Sequence, residues 1–250
     1  MRRVKLGALT RHLLDFCYPG ACAVCNASCE GDVPLCETCR IALATLEFAA
    51  ACEKCAMPLR ESGSPCAYCK GKGVAHFERV LRLGVFEDPL KHLIHQMKYH
   101  RAWTLAEFLA DRLIDQEKVK ALLQETDVIV PVPLFFTRHI ARGFNQSEVI
   151  ARRIAKVCDI QFVKALTRVR ATETQTHLSP TQRAENMRGA FALIAPKRIA
   201  GKHVVLVDDV TTTGATLRSA AQALEQAHPA SLSALALAIA DPKGRGFEVI

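Results

Sequence analysis

His203-Val-Val-Leu-Val-Asp-Asp-Val-Thr-Thr-Thr-Gly-Ala-Thr216 is the stretch that decides the fold. Four apolar residues, Val204 to Val207, read as a buried strand of a parallel sheet, because such strands are covered on both faces and lose polar alternation. Asp208 and Asp209 follow at the strand's carboxyl end, where open α/β sheets place their ligands. Small hydroxyl residues around Gly214 then open into a helical pattern of Leu217, Ala220, Ala221 and Leu224. A tight loop ahead of a helix offers unpaired backbone N–H groups and the positive end of the helix dipole. That is a phosphate cradle.

The two halves suit one ligand. Ribose hydroxyls donate hydrogen bonds to carboxylates, so Asp208 and Asp209 suit a pentose and would repel a phosphate beside them. The loop of Thr211, Thr212, Thr213, Gly214, Ala215 and Thr216 suits a terminal phosphate, and together they describe a ribose 5-phosphate group. The alternative is a plain strand-turn-helix whose acids cap the helix. In order, acid pair and glycine, the stretch resembles the phosphoribosyl-pyrophosphate (PRPP) signature of type I phosphoribosyltransferases.

Half of the 250 residues are hydrophobic and few are aromatic, as in an ordinary α/β protein that can bury a large core. No apolar run approaches the roughly 18 residues of a membrane span. The N-terminus is basic, but Arg11, His12 and Asp15 interrupt any signal-peptide core, while Leu6, Leu9, Leu13 and Phe16 fit one face of a helix. A cytoplasmic location is expected. The net charge of +8 is uneven: residues 138–188 hold ten Lys/Arg against four Asp/Glu. That surplus implies an anionic ligand nearby, pyrophosphate or a nucleic-acid backbone, or else a solvated basic face.

Ten of the eleven cysteines precede residue 70, and eight of them repeat with a period of thirty. Cys22-x2-Cys25-x10-Cys36-x2-Cys39 is followed by Cys52-x2-Cys55-x10-Cys66-x2-Cys69. A Cys-x2-Cys knuckle offers two thiolates, and two knuckles complete a closed tetrahedral Zn²⁺ site. The expectation is a double zinc ribbon with two structural, non-hydrolytic zinc ions. Pairing within each repeat is the simpler arrangement, and a cross-braced one stays open. Disulfides and redox chemistry fit less well with a cytosolic chain carrying four such pairs. Cys17, Cys29 and Cys158 fall outside the repeat.

After Gly71-Lys-Gly73, Val80 to Phe86 read as a strand. Pro89 then starts a helix faced by Leu90, Leu93, Ile94 and Met97, which ends at Lys98-Tyr99. A second helix carries Leu105, Phe108, Leu109 and Leu113, and Asp127 to Pro133 forms another core strand. Arg138 and Arg142 lie in the loop that follows, before a helix with Val149, Ile150, Ile154 and Val157. They read as pyrophosphate contacts, with surface charge as the alternative, since Arg suits bidentate phosphate recognition. Residues 168–188 are polar and basic and read as a flexible loop or lid, with Arg168, Arg170, Gln175 and Arg183 among its candidates. A last strand spans 231–240, leaving no room for a large C-terminal hood.

Taken together, the Cys repeat, Pro-Val-Pro at 131–133, Arg-Gly-Phe-Asn-Gln at 142–146, Thr-x-x-Gln-x-x-Leu at 172–178 with Arg183 and Asn186, and the Asp208-Asp209 stretch resemble the ComF family. These are competence protein F-like, phosphoribosyltransferase-fold proteins linked to DNA uptake and use in bacteria. The resemblance implies a type I phosphoribosyltransferase fold, a parallel sheet flanked by helices, over residues 74–250, with the N-terminal helix and double zinc ribbon in 1–73. It also implies Mg²⁺, bound with PRPP, and partners in a DNA-uptake system. Two functions follow as expectations. One is an enzyme or PRPP-binding protein in which Asp208 and Asp209 carry the chemistry. The other is a non-catalytic protein that binds single-stranded DNA or senses PRPP on the same fold.

Overall fold

The computed structural model describes residues 20–29, 33–99, 102–136, 140, 143–170, 185 and 187–241. The expected N-terminal helix over residues 6–16 and Cys17 lie outside the described residues. In the first Cys module, β1 (Gly20–Ala21) and β2 (Ser28–Cys29) pair antiparallel, and α1 (Glu37–Phe48) starts at the second knuckle. The rest runs β3 (Arg79–Val85), α2 (Leu90–Tyr99), α3 (Trp103–Ile114), α4 (Glu117–Gln124), β4 (Val128–Pro131), α5 (Gln146–Cys158) and β5 (Gln161–Phe162). It ends with β6 (Leu166–Arg168), β7 (Phe191–Leu193), β8 (His203–Thr211), α6 (Ala215–Leu224) and β9 (Ser231–Ile239).

Five strands form one sheet in the order β3-β9-β8-β4-β5, and every neighbouring pair is parallel. This is the type I phosphoribosyltransferase architecture expected from the sequence. Pleating divides the side chains between two cores. Val204, Leu206, Val128, Val130, Leu232 and Ala234 face α6 and the β6–β7 hairpin. Val205, Val207, Ile129, Leu235 and Leu237 face α2, α3 and α5. Val204 to Val207 are each at most 1% exposed, so each contributes about 1.5–3 kcal/mol of burial. The absence of polar alternation at these positions is thus explained by two covered faces.

Both Cys modules are packed into these cores. Cys55, Ala56, Met57 and Cys66 belong to the α6-side core, and the amides of Val80 and Val74 donate to the Glu53 and Lys54 carbonyls at 2.7 and 3.1 Å. Cys22, Leu35 and Leu43 pack on the opposite side with Leu81, Leu83 and Leu90.

The chain diverges at the centre of the sheet. From β4 it crosses through α5 to β5 on one side, and from β8 through α6 to β9 on the other. The crevice outside the carboxyl ends of β4 and β8 is therefore the topological switch point, where such sheets bind ligands.

Candidate functional site

Two helix N-termini meet at that crevice. Asn145 begins α5: its Oδ1 accepts from the Ser147 amide at 3.1 Å, and its Nδ2 donates to the Val132 carbonyl at 2.9 Å. One side chain thus caps the helix and ties it to the end of β4. With α5 fixed there, Ser147 Oγ donates to Asp208 Oδ1 at 3.1 Å. The Asp209 amide donates to the same oxygen at 2.9 Å.

The two aspartates are not equivalent. Asp208 is buried, and burial, followed by the neighbouring Asp209 charge, pushes its carboxyl up to about 7. Hydrogen bonds from the Asp209 amide and Ser147 and the positive charge of Lys98 pull the other way. Asp209 instead meets Lys98, whose Nζ lies 3.0 Å from Oδ2, while Oδ1 accepts from the Val210 amide at 2.6 Å. Consecutive strand positions alternate in direction, so the adjacent acids acquire different partners on different helices.

The loop after β8 turns sharply into α6. Gly214 takes a left-handed backbone, φ +71°, and α6 begins without a side-chain cap. Among the described residues no backbone carbonyl accepts from the amides of Thr212, Thr213, Gly214 or Ala215. Arg218, one turn into α6, donates to the Thr213 carbonyl at 2.8 Å and braces the loop from behind. An added Cβ at Gly214 would meet Val74 Cγ1 at 3.2 Å, so the turn is closed by the segment after the second Cys module.

Residues 101–249 match the phosphoribosyl transferase domain family. The DNA utilization protein YhgH of Salmonella typhimurium is 37% identical over 212 residues, covering 82% of this chain and 91% of its own. Competence protein F of Haemophilus influenzae is 30% identical over 198 residues, covering 77% and 84%. The chain belongs to the ComF family. Among solved structures, a purine phosphoribosyltransferase from Pyrococcus horikoshii has a TM-score of 0.34 at 20% identity, covering 53% of this chain and 74% of its own.

In this ComF-family chain the eight repeat cysteines form two clusters. Cys22, Cys25, Cys36 and Cys39 come together, as do Cys52, Cys55, Cys66 and Cys69, with the sulfurs of each set within 4.8 Å of one another. Each repeat closes on itself, and the clusters do not cross-brace. The Sγ pairs Cys25–Cys36, Cys55–Cys66 and Cys52–Cys69 are separated by 3.6, 3.6 and 3.8 Å. A tetrahedron of thiolates at about 2.3 Å from Zn²⁺ has edges of about 3.8 Å, so the donor sets fit zinc. A disulfide needs about 2.05 Å, which these pairs do not approach.

Several candidate residues fall elsewhere. Arg138, Arg142, Gln175 and Arg183 lie outside the described residues. Arg168 is in β6, opposite Phe191 in β7, with its guanidinium 5.6 Å from the Phe191 ring centroid. Arg170 donates to the Arg188 carbonyl at 2.7 Å. Both lie at or just past the end of β6. Sequence reading had missed Ser147 and Lys98. Ser147 stands just past the run Arg-Gly-Phe-Asn-Gln at 142–146, two residues after Asn145, an N-cap signal that could have placed it at the crevice; Lys98 carries no such signal.

Proposed function

We propose that this chain binds PRPP with Mg²⁺ at the crevice and acts in DNA uptake or utilisation, as the names of its relatives imply for them. The observation that carries this reading is an acid pair followed directly by an uncapped loop in which, among the described residues, no backbone carbonyl accepts from the amides of Thr212, Thr213, Gly214 or Ala215. The loop of residues 211–216 would hold the 5′-phosphate. Asp208 and Asp209 would accept from the ribose hydroxyls, and Arg138 and Arg142 would hold the pyrophosphate. Arg168 and Arg170 would anchor the stem of a loop that brings Gln175 and Arg183 over the site.

The acid pair also suits Mg²⁺, which prefers oxygen donors, since Asp208 Oδ2 receives no hydrogen bond among the described residues. Mg²⁺ bound with PRPP would neutralise charge developing on the departing pyrophosphate. The carboxylates would stabilise positive charge at the anomeric carbon, and the arginines the negative charge opposite it. In the same reading the two Cys clusters hold structural zinc ions with no open coordination position.

Several cations in the basic segment are already engaged. Arg152 and Lys164 both pair with Glu148, and Arg153 grips Asp111 through two bonds of 2.6 and 2.8 Å. These charges support α5 and do not favour the nucleic-acid reading. Calorimetry with PRPP and Mg²⁺ tests the proposal: wild type binds, and Asp208→Asn/Asp209→Asn loses affinity with zinc content unchanged. Absence of binding to wild type at millimolar PRPP would refute it.

A further inference from the structure

Helices α3 and α5 pack side by side into the same core, through Leu105, Ala106 and Leu109 on one and Ile150, Ala151 and Ile154 on the other. On their outer side Arg153 of α5 holds Asp111 of α3 through two bonds of 2.6 and 2.8 Å. Beside this clamp a cavity of about 630 Å³ opens between the helices, away from the acid pair. Trp103 and Glu107 of α3 line one wall, Val149 and Lys156 of α5 the other, and Phe144 closes one end.

The clamp sets the register of the two walls. Trp103 stands about two turns before Asp111, and Phe144 about as far before Arg153, so the two rings share one end of the cavity. Val149, Arg152, Arg153 and Lys156 follow the i, i+3, i+4, i+7 spacing of a single helix face. From Val149 to Lys156 that face runs for about 10 Å. Trp103 is 55% exposed, which leaves its ring open to a ligand.

The charges along the cavity are mostly spent. Arg153 is taken by Asp111, and Arg152 pairs with Glu148 while lying 4.2 Å from the Phe162 ring centroid. Among the described residues Glu107 and Lys156 form no ion pair, and Glu107 acts on Arg153 only at a distance. One free ammonium and one free carboxylate therefore face the cavity from opposite walls. A phosphodiester chain needs a run of free cations, which is not offered here.

We propose that this cavity binds the C-terminal end of a partner polypeptide whose last three residues are apolar. The terminal carboxylate pairs with Lys156, a peptide N–H donates to Glu107, and the apolar side chains fill the end made by Trp103 and Phe144. Three extended residues span about 10 Å, the length of the α5 face. A free amino acid would leave much of the space empty, since cavities of roughly 300–1,000 Å³ suit larger ligands. Recognition of a terminal carboxylate beside an apolar groove is an established mode of peptide binding.

Trp103 is the single tryptophan of the chain, so its emission reports on this cavity alone. The probe is the peptide acetyl-Gly-Leu-Phe-Leu with a free carboxylate, titrated against the full chain beside its C-terminal amide. The acid is expected to shift the emission saturably by about 1 mM. The amide should bind at least about three-fold more weakly, the loss an exposed ion pair allows. Lys156→Ala should bind acid and amide alike, and Lys156→Arg should keep the preference. Lys156 is exposed, so both variants should melt with wild type, and Lys156→Gln replaces either that does not. Equal affinity for acid and amide in wild type, a preference that survives Lys156→Ala, or no saturable shift by about 10 mM overturns the inference. Tighter binding of an amidated peptide with internal aspartates, or of a single-stranded oligonucleotide, overturns it in favour of those ligands. Self-association that covers Trp103 assigns the cavity to a second copy and overturns it as well. PRPP enters none of these titrations, so their outcome is independent of the reading of the crevice.

Discussion

Ser147 Oγ donates to Asp208 Oδ1 at 3.1 Å, joining the first turn of α5 to the end of β8 across the divergence of the sheet. This bond connects the two crossover units at the point where a ligand would enter. Asp208 is buried, so a lost donor is not replaced freely by water. Ser147→Ala should weaken PRPP binding by about 1–3 kcal/mol, the usual cost of leaving a buried polar group short of a partner. Calorimetry checks it, with Ser147→Thr expected to retain most of the affinity.

Asp208 also sets a pH dependence of stability. Its carboxyl is raised from 3.8 to about 7 in the folded protein, so between those values the folded state binds more protons than the unfolded. Stability from this group is fully present below pH 3.8 and is lost as pH rises through 7. A shift of this size corresponds to at most about 4 kcal/mol at pH 8. Asp208→Asn removes the ionisation, keeps an acceptor for Ser147, and should melt higher than wild type at pH 8 while binding PRPP more weakly. Thermal melts from pH 5 to pH 8.5 should show a shallower dependence in the variant. A wild-type melting point that climbs from pH 6 to pH 8 would contradict the assignment.

Most of this arrangement was legible because its signals are local. The run Val204 to Val207 shows its two-sided burial in four letters, and the thirty-residue period of the cysteines predicts the two clusters before any fold is known. Helix α1 was not legible: it buries only Leu43 fully, so its apolar spacing is faint. Helix α4 did carry a pattern in Val119, Leu122 and Leu123, but at eight residues it is short for a periodicity reading. Strands β5, β6 and β7 are two or three residues long, below the length at which alternation can show. In the sequence Lys98 marks only the end of a helix. Its meeting with Asp209 depends on how α2 lies on the sheet, a tertiary fact with no trace in spacing.

Gly214 offers a test of the cradle that leaves every charge in place. Its φ of +71° lies in the left-handed region, and a Cβ there would press on Val74 Cγ1 at 3.2 Å. Gly214→Ala should cost roughly 1–2 kcal/mol from backbone strain alone. The loop would relax by turning its amides, so PRPP affinity should fall further than stability does. Parallel measurement of melting and PRPP calorimetry distinguishes this from simple destabilisation, in which affinity at low temperature would be retained.

The two Cys clusters should differ in what their loss does to the crevice. The second is connected to it by short steps: Lys54, inside the Cys52–Cys55 knuckle, accepts from the Val74 amide at 3.1 Å, and the Val74 side chain closes over Gly214. Cys55 and Cys66 are themselves part of the core that α6 packs on. The first cluster packs on the opposite core, with Cys25 exposed. Structural zinc supplies much of the folding energy of such small modules. Cys55→Ser and Cys25→Ser should therefore each reduce bound zinc from two ions to one, the two clusters being separate. Cys55→Ser should also lower the melting temperature by at least about 10 °C and weaken PRPP binding. Cys25→Ser should spare most of the affinity. Metal analysis, melting and calorimetry on the two variants decide it, and equal losses of PRPP affinity would show that the path through Val74 does not support the loop.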